Sequence, residues 1–173
     1  RGKVYSLRGY EIPEAQRQAR GTAIVNLIDV EPGEAVTALM PVVKFVDDVY
    51  VAMATGQGTV KKTELTAFAA IRRTGIIGIS LAPDDELIAV KMVSKDDEIL
   101  LVTRNGMSIR FGQEEVRSMG RNAAGVRGID LDMGDAVVGM DVARDNADVL
   151  VITSNGFGKR TSVSEYRPQR RGG

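Results

Sequence analysis

Lysine and arginine recur in this sequence at a spacing suited to a polyanion. A short basic stretch follows a glycine four times, in Gly2-Lys-Val-Tyr-Ser, Gly58-Thr-Val-Lys-Lys, Gly106-Met-Ser-Ile-Arg and Gly156-Phe-Gly-Lys-Arg. These copies start 56, 48 and 50 residues apart. A second glycine follows 16 to 19 residues later, at Gly21, Gly75, Gly125 and Gly172, and arginines cluster around it. The candidate contacts are therefore Lys3, Lys61, Lys62, Arg110, Lys159 and Arg160 from the basic stretches. Arg17, Arg20, Arg72, Arg73, Arg121, Arg127, Arg170 and Arg171 join them from the glycine loops. Cationic side chains gain affinity for closely spaced phosphates chiefly by releasing condensed counterions. Glycines allow close backbone approach and offer N–H groups to phosphate oxygens. Nothing in the pattern suggests base readout, so contacts to the backbone of a bent duplex are expected.

A third anchor is acidic, in Pro32-Gly-Glu-Ala-Val, Asp84-Asp-Glu-Leu-Ile and Met133-Gly-Asp-Ala-Val. The total charge is zero, yet it alternates along the chain. Residues 1–21, 50–75 and 101–128 each carry +3, and 150–173 carry +4. The intervening stretches 22–49, 76–100 and 129–149 carry −4, −4 and −5. A fold that stacks repeats puts equivalent positions on equivalent faces. A basic track on one surface and an acidic one elsewhere are expected, with the carboxylates solvated in hairpin turns and repelling DNA from the wrong faces.

Composition removes several classes of chemistry. Cysteine and histidine are absent, which excludes disulfides, Cys-ligated metals and the commonest general base. The lack of cysteine fits a reducing cytoplasm. No metal, cofactor or catalytic residue is expected, and Tyr5, Tyr10, Tyr50 and Tyr166 read as packing or rim residues. No apolar run approaches the roughly 20 residues of a membrane span, and no signal peptide is expected. Tryptophan is absent and aromatics make up 5% of the chain, so base stacking is not the main binding mode.

The elements that must carry these cations read as β throughout. Val49–Ala54, Ile99–Thr103 and Val149–Thr153 are apolar on both faces and should be covered on both. Asn105-Gly106 and Asn155-Gly156 predict type I′ hairpins. In the returning strand Met107, Ile109 and Phe111 alternate with Ser108 and Arg110, which predicts one buried face and one wet, basic face. Short helical turns are expected within 63–71, 112–119 and 162–166. Further strands are expected at 23–27, 76–81 and 126–131, then at 35–42, 87–93 and 136–142. About four strands per unit of some fifty residues is the make-up of a propeller-like blade. The expected fold class is all-β, a propeller-like partial ring of four-stranded blades. Residues 1–173 form part of one domain, with units beginning near Gly2, Gly58, Gly106 and Gly156 and the last incomplete.

Several stretches carry a family likeness. Arg1-Gly-Lys-Val-Tyr-Ser, Ala19-Arg-Gly-Thr-Ala-Ile-Val-Asn-Leu, Met53-Ala-Thr-Gly-Gln-Gly-Thr-Val-Lys-Lys-Thr, Gly125-Val-Arg-Gly-Ile and Asn155-Gly-Phe-Gly-Lys-Arg-Thr are similar to the C-terminal domain of the A subunit of bacterial DNA gyrase, a type IIA topoisomerase. The related topoisomerase IV subunit shares that fold. The resemblance implies a β-pinwheel, in which blades exchange a strand and duplex DNA wraps around a basic rim. It implies that this chain spans about half of a six-bladed ring. Gln169-Arg170-Arg171-Gly172-Gly173 resembles the first five positions of the gyrase box, although it lies after three blades whereas the family's main box lies early in the domain.

The function implied is DNA binding and wrapping that presents a segment for strand passage and sets the direction of supercoiling. The implied partners are double-stranded DNA, the ATPase B subunit of gyrase and the remainder of its A subunit, in the bacterial cytoplasm near the nucleoid. The domain alone carries no catalysis on this reading. A propeller-like protein-interaction scaffold and a topoisomerase IV equivalent are the alternatives. A propeller-fold hydrolase is disfavoured by the missing histidine.

Overall fold

The computed structural model describes residues 2–173. Eleven strands are arranged in antiparallel sheets, with five short 3-10 turns and no α-helix among the described residues. The central sheet has the order β5 (Leu87–Ser94), β2 (Val49–Thr55), β3 (Thr59–Glu64), β8 (Val126–Arg127). The next has the order β7 (Ser108–Gly112), β6 (Glu98–Thr103), β9 (Val137–Ala143). Before them β1 (Lys3–Val4) pairs with β4 (Ile76–Ile77), and after them β10 (Asp148–Ile152) pairs with β11 (Gly158–Ser162).

The register shows strand exchange. β4, beyond the glycine loop of the second unit, pairs with β1 of the first, Lys3 opposite Ile77. β8, beyond the glycine loop of the third unit, pairs with β3 of the second, Val60 opposite Val126. Gly125 makes the second exchange possible. Its φ is +112°, and a Cβ there would sit 2.6 Å from the Val60 carbonyl oxygen.

The hydrophobic cores lie between units. Val51 and Met53 face the first unit with Leu65, Phe68 and Ile79. Ala52 and Ala54, on the opposite face of the same strand, join Ile99, Leu101 and Phe111 of the third unit. Leu100, on the other face of β6, meets Val163 and Val149 of the fourth. This explains why Val49–Ala54 and Ile99–Thr103 are apolar on both faces. Each strand is the wall of two seams.

The expectations differ from the structure in five places. Val149–Thr153 is not covered on both faces: Leu150 and Ile152 are 64% and 66% exposed. Residues 23–27 hold a 3-10 turn, Ile24–Asn26, and no strand forms over 35–42. The counterparts of 35–42, β5 and β9, pair with the strand before each hairpin turn, β2 and β6. The hairpins are not type I′, since Asn105 and Asn155 do not have positive φ. Gly106 N–H instead donates to the Thr103 carbonyl at 3.1 Å and Gly106 takes φ +87°, the three-residue loop with a left-handed glycine. Finally, β7 has no wet face. Ile109, Arg110 and Phe111 are all buried, and Met107, in the turn, is exposed. The expected short helical turns are present as 3-10 turns at Leu65–Phe68, Gln113–Glu115 and Val163–Glu165.

Candidate nucleic-acid interface

The fourteen candidate cations divide by environment. Lys61, Lys62 and Arg110 are buried at 1%, 6% and 9% exposure, which corrects their reading as rim contacts for DNA. Each reaches a main-chain carbonyl inside the protein. Lys61 Nζ donates to the Gly78 carbonyl at 2.5 Å and to that of Arg121. Lys62 Nζ donates to both the main-chain carbonyl (3.0 Å) and the side-chain oxygen of Gln113, and lies 4.6 Å over the Tyr50 ring. Arg110 pairs with Glu98 and donates to the carbonyls of Val163 (3.0 Å) and Tyr166 (3.3 Å). These strand cations bolt units together.

A second group is engaged at the surface. Lys3 pairs with Glu31, while Tyr5 beside it donates to Glu34 at 2.7 Å. Arg73 lies 3.7 Å from Asp29, Arg127 3.2 Å from Asp130 and Arg160 3.2 Å from Asp148. The cations and carboxylates are thus interleaved at these points. Exposed pairs of this kind contribute at most about 1 kcal/mol and are broken readily by a competing phosphate. Arg171 donates its main-chain N–H to Glu115 Oε2 at 2.7 Å and its guanidinium to the carbonyls of Glu115 and Arg127.

The gyrase-box-like stretch is stitched down along its length. Gln169 N–H donates to the Arg110 carbonyl, Gly172 N–H to the Gly128 carbonyl and Gly173 N–H to the Arg170 carbonyl. Gly75 N–H is likewise used, on the Arg72 carbonyl. The N–H groups of Gly75, Gly172 and Gly173 are therefore committed within the protein, which corrects the expectation that they serve phosphate. Of the remaining candidates Arg17, Arg20, Arg72, Lys159 and Arg170 are exposed, and Arg121 is half-buried.

Arg72 and Arg121 come together although they are 49 residues apart in sequence. They line one open groove of about 590 Å³ with Thr74, Gly75, Ile77 and Asn122. Its walls are the glycine loops of two consecutive units. The second wall is fixed by three successive carbonyls. That of Arg121 accepts from Lys61, that of Asn122 from Ser80 Oγ (2.8 Å) and that of Ala123 from Ser80 N–H (3.3 Å). A buried cation of one unit thereby holds the loop that carries an accessible cation of the next.

The environment of Lys61 gives a pH signature. Burial, and after it the neighbouring Arg121 charge, lowers its pKa to about 8. An unfolded lysine titrates near about 10.4. Below pH 8 both states hold the proton and stability is flat. Between about pH 8 and 10.4 the unfolded chain holds more protons, so stability rises with pH. Lys62 is shifted in the same direction by burial, with Glu114 opposing. Urea unfolding at pH 7.5 and at pH 10 should therefore show a higher midpoint at pH 10, and Lys61→Met should remove most of that gain.

The acidic turns also depart from expectation. Asp85 Oδ1 accepts from the N–H groups of Gln57 (3.0 Å) and Glu86 (2.8 Å), and Asp135 Oδ1 from those of Asn105 (3.0 Å) and Ala136 (2.8 Å). Desolvation raises the Asp135 pKa, but hydrogen bonds from Thr103, Ala136 and Asn105 outweigh it, and the carboxyl lies below its ordinary value. These carboxylates tie the acidic turn to the glycine hairpin within each unit. The recurrence of an acid at the same repeat position was the signal for them in the sequence.

The family model described as DNA gyrase C-terminal domain, beta-propeller, matches residues 1–42, 50–94, 97–144 and 147–173, four segments of which the last three begin with the strand before the Gly58, Gly106 and Gly156 turns. The chain belongs to this DNA gyrase C-terminal domain family. Among curated relatives, the DNA gyrase A subunit of Clostridium acetobutylicum is 50% identical over 173 residues, 100% of this chain and 21% of the relative. The DNA gyrase A subunit of Escherichia coli is 48% identical over 122 residues, 70% of this chain and 14% of the relative. The chain thus spans about a fifth or less of those relatives' length. A solved C-terminal domain of DNA topoisomerase IV superposes with a TM-score of 0.89 at 30% identity, over 99% of this chain and 54% of that one. A solved DNA gyrase A C-terminal domain gives 0.84 at 27%, over 99% and 55%. The fold of the family is the all-β, propeller-like arrangement with exchanged strands found here.

Proposed function

We propose that this chain is the DNA-wrapping part of a gyrase A subunit, holding duplex DNA by its phosphates along the row of glycine loops. The observation that carries this reading is the groove shared by Arg72 and Arg121, because it joins accessible cations of consecutive units across a seam. One such groove anchors a phosphate. A succession of them along a curved edge anchors a bend. Smoothly bending a 20–30 bp site by 40–90° costs roughly 1–6 kcal/mol, which several phosphate contacts offset and one or two do not.

Identity of 50% along the whole of this chain to a gyrase relative supports the gyrase assignment over the topoisomerase IV equivalent. In that setting the partners are duplex DNA, the ATPase B subunit and the rest of the A subunit, in the bacterial cytoplasm. Strand cleavage and ATP hydrolysis belong to those other parts. The wrapped segment is delivered for strand passage, and the hand of the wrap sets the sign of supercoiling.

Removing the charge of both loop arginines, Arg72→Gln with Arg121→Gln, should weaken binding to any duplex. It should also reduce the slope of log K against log salt by about two. Fluorescence anisotropy at salt concentrations from about 50 to 200 mM measures this, and an unchanged slope would overturn the assignment of these residues. Wrapping itself is tested by relaxing closed circular DNA in the presence of the chain and removing the protein. A linking-number shift of one sign supports it, and the same linking number with and without the chain contradicts it.

A further inference from the structure

The seam between the second and third units and the seam between the third and fourth fasten their glycine loops by different means. Lys61 stands opposite Met53 in the β2–β3 ladder, and Ile109 stands opposite Leu101 at the same place in the β6–β7 ladder. Both are buried, at 1% and 3% exposure. The following loop starts alike in the two seams. Met119 N–H donates to the Lys62 carbonyl at 2.8 Å, and Gln169 N–H to the Arg110 carbonyl at 2.7 Å. Two residues further on stand Arg121 and Arg171, which are therefore counterparts. Ser80 and Asp130 correspond as well. Each lies two residues beyond a glycine, Gly78 or Gly128, whose N–H donates across the strand exchange to the Gly2 or Gly58 carbonyl.

In the first of these seams the loop is held by side chains of the earlier unit. Lys61 Nζ donates to the Arg121 carbonyl and Ser80 Oγ to that of Asn122. The Arg121 guanidinium has no hydrogen bond or ion pair among the described residues, and it lines the open groove. In the second seam both donors are replaced at their repeat positions. Ile109 has no polar group to offer, and the Asp130 carboxylate can only accept, which it does from Arg127 at 3.2 Å. There the loop arginine does the fastening. The Arg171 guanidinium donates back across the seam to the carbonyls of Glu115 and Arg127. Turning it outward would leave those carbonyls without this donor.

We infer that Lys61 is a positioning residue for a phosphate contact at Arg121: by holding the loop through its backbone, it leaves the guanidinium to an anion in the groove, whereas the seam built on Ile109 retains its own arginine. This assignment rests on the reading of the groove as a phosphate site. Lysine suits the place because one flexible stem brings several donors to carbonyls of both walls, Gly78 and Arg121. Lys61 itself meets no phosphate. The grip on the duplex is accordingly uneven: of the two counterpart arginines, Arg121 engages the backbone of DNA and Arg171 does not.

The test reads the slope of log K against log salt for duplex DNA binding by this chain, from fluorescence anisotropy at about 50 to 200 mM salt. Arg121→Gln should lower the slope by about one, and Arg171→Gln should leave it unchanged. Equal falls for the two variants overturn the inference. Lys61→Ile gives the first seam the residue of the second. In that background Arg121→Gln should no longer move the slope, because the guanidinium has already turned inward. A fall of about one there as well would mean that Arg121 is displayed without Lys61, and the positioning role fails while the groove stands. No effect of Arg121→Gln in the otherwise unaltered chain, with DNA still bound, overturns the phosphate reading of the groove and the role of Lys61 with it. The comparison of Arg121→Gln with Arg171→Gln leaves the core untouched, so it decides the outcome even if Lys61→Ile does not fold.

Discussion

Arg110→Met should destabilise the protein by about 3–5 kcal/mol, the largest effect expected of any single charge removal in this chain. The reason is what the substitution leaves behind. Glu98, a quarter exposed, loses its counter-ion, and the Val163 and Tyr166 carbonyls lose a donor in a seam that solvent does not reach freely. An abandoned buried charge or acceptor costs more than the intact pair contributes. For a chain of this size the loss corresponds to a fall in the unfolding midpoint of about 6–15 °C. Arg127→Met provides the contrast. Its pair with Asp130 is exposed on both sides, and the expected change is within about 0.5 kcal/mol. If the two variants melt alike, the seam does not depend on its buried cation.

Gly125→Ala should be among the most damaging conservative changes to the backbone, at about 3 kcal/mol or more. The new Cβ meets the Val60 carbonyl oxygen at 2.6 Å and Thr59 Cγ2 at 2.8 Å, and the residue must keep a φ of +112°. A rigid main-chain oxygen cannot move aside as a side chain can, so β8 has to lift from β3. Hydrogen exchange should show lost protection over Thr59–Val60 and Val126–Arg127, with the β6–β7 hairpin unaffected. Gly106→Ala isolates the dihedral cost. There φ is +87° but nothing lies within 4 Å of the added methyl, so about 1 kcal/mol is expected. Equal losses at the two glycines would count against the packing argument.

Much of the architecture was readable because its signals are local. Glycine after a polar residue marks the hairpins at Gly58, Gly106 and Gly156, and the recurring acid marks Asp85 and Asp135. The doubly apolar runs at 49–54 and 99–103 announce strands walled on both sides. What could not be read locally was which neighbour does the covering. Val149–Ile152 is as apolar as Ile99–Val102, yet Leu150 and Ile152 lie exposed where Leu100 is buried. The turn type was misjudged because Asn-Gly suits several hairpins, and pairing of Thr103 with Met107 selects the three-residue loop.

The cations were the harder case. Lys61, Lys62 and Arg110 look in the sequence like any exposed basic residue, and most such residues are exposed. Their burial depends on acceptors 17 to 60 residues away, Gly78, Arg121, Gln113 and Val163, which no window of the sequence brings together. Charge alternation marks the basic segments, but it does not separate the residues that build the scaffold from those the scaffold displays. Arg72 and Arg121 belong to the second kind.

The fastening of the Arg121 loop has a mechanical consequence. The loop is continuous with one unit and anchored by Lys61 and Ser80 to the one before. A pull on its guanidinium is therefore shared between both, and loads their common boundary in shear instead of peeling it open. A taut polymer lashed around such an edge draws the wedges of the arc together, much as a hoop tightens staves.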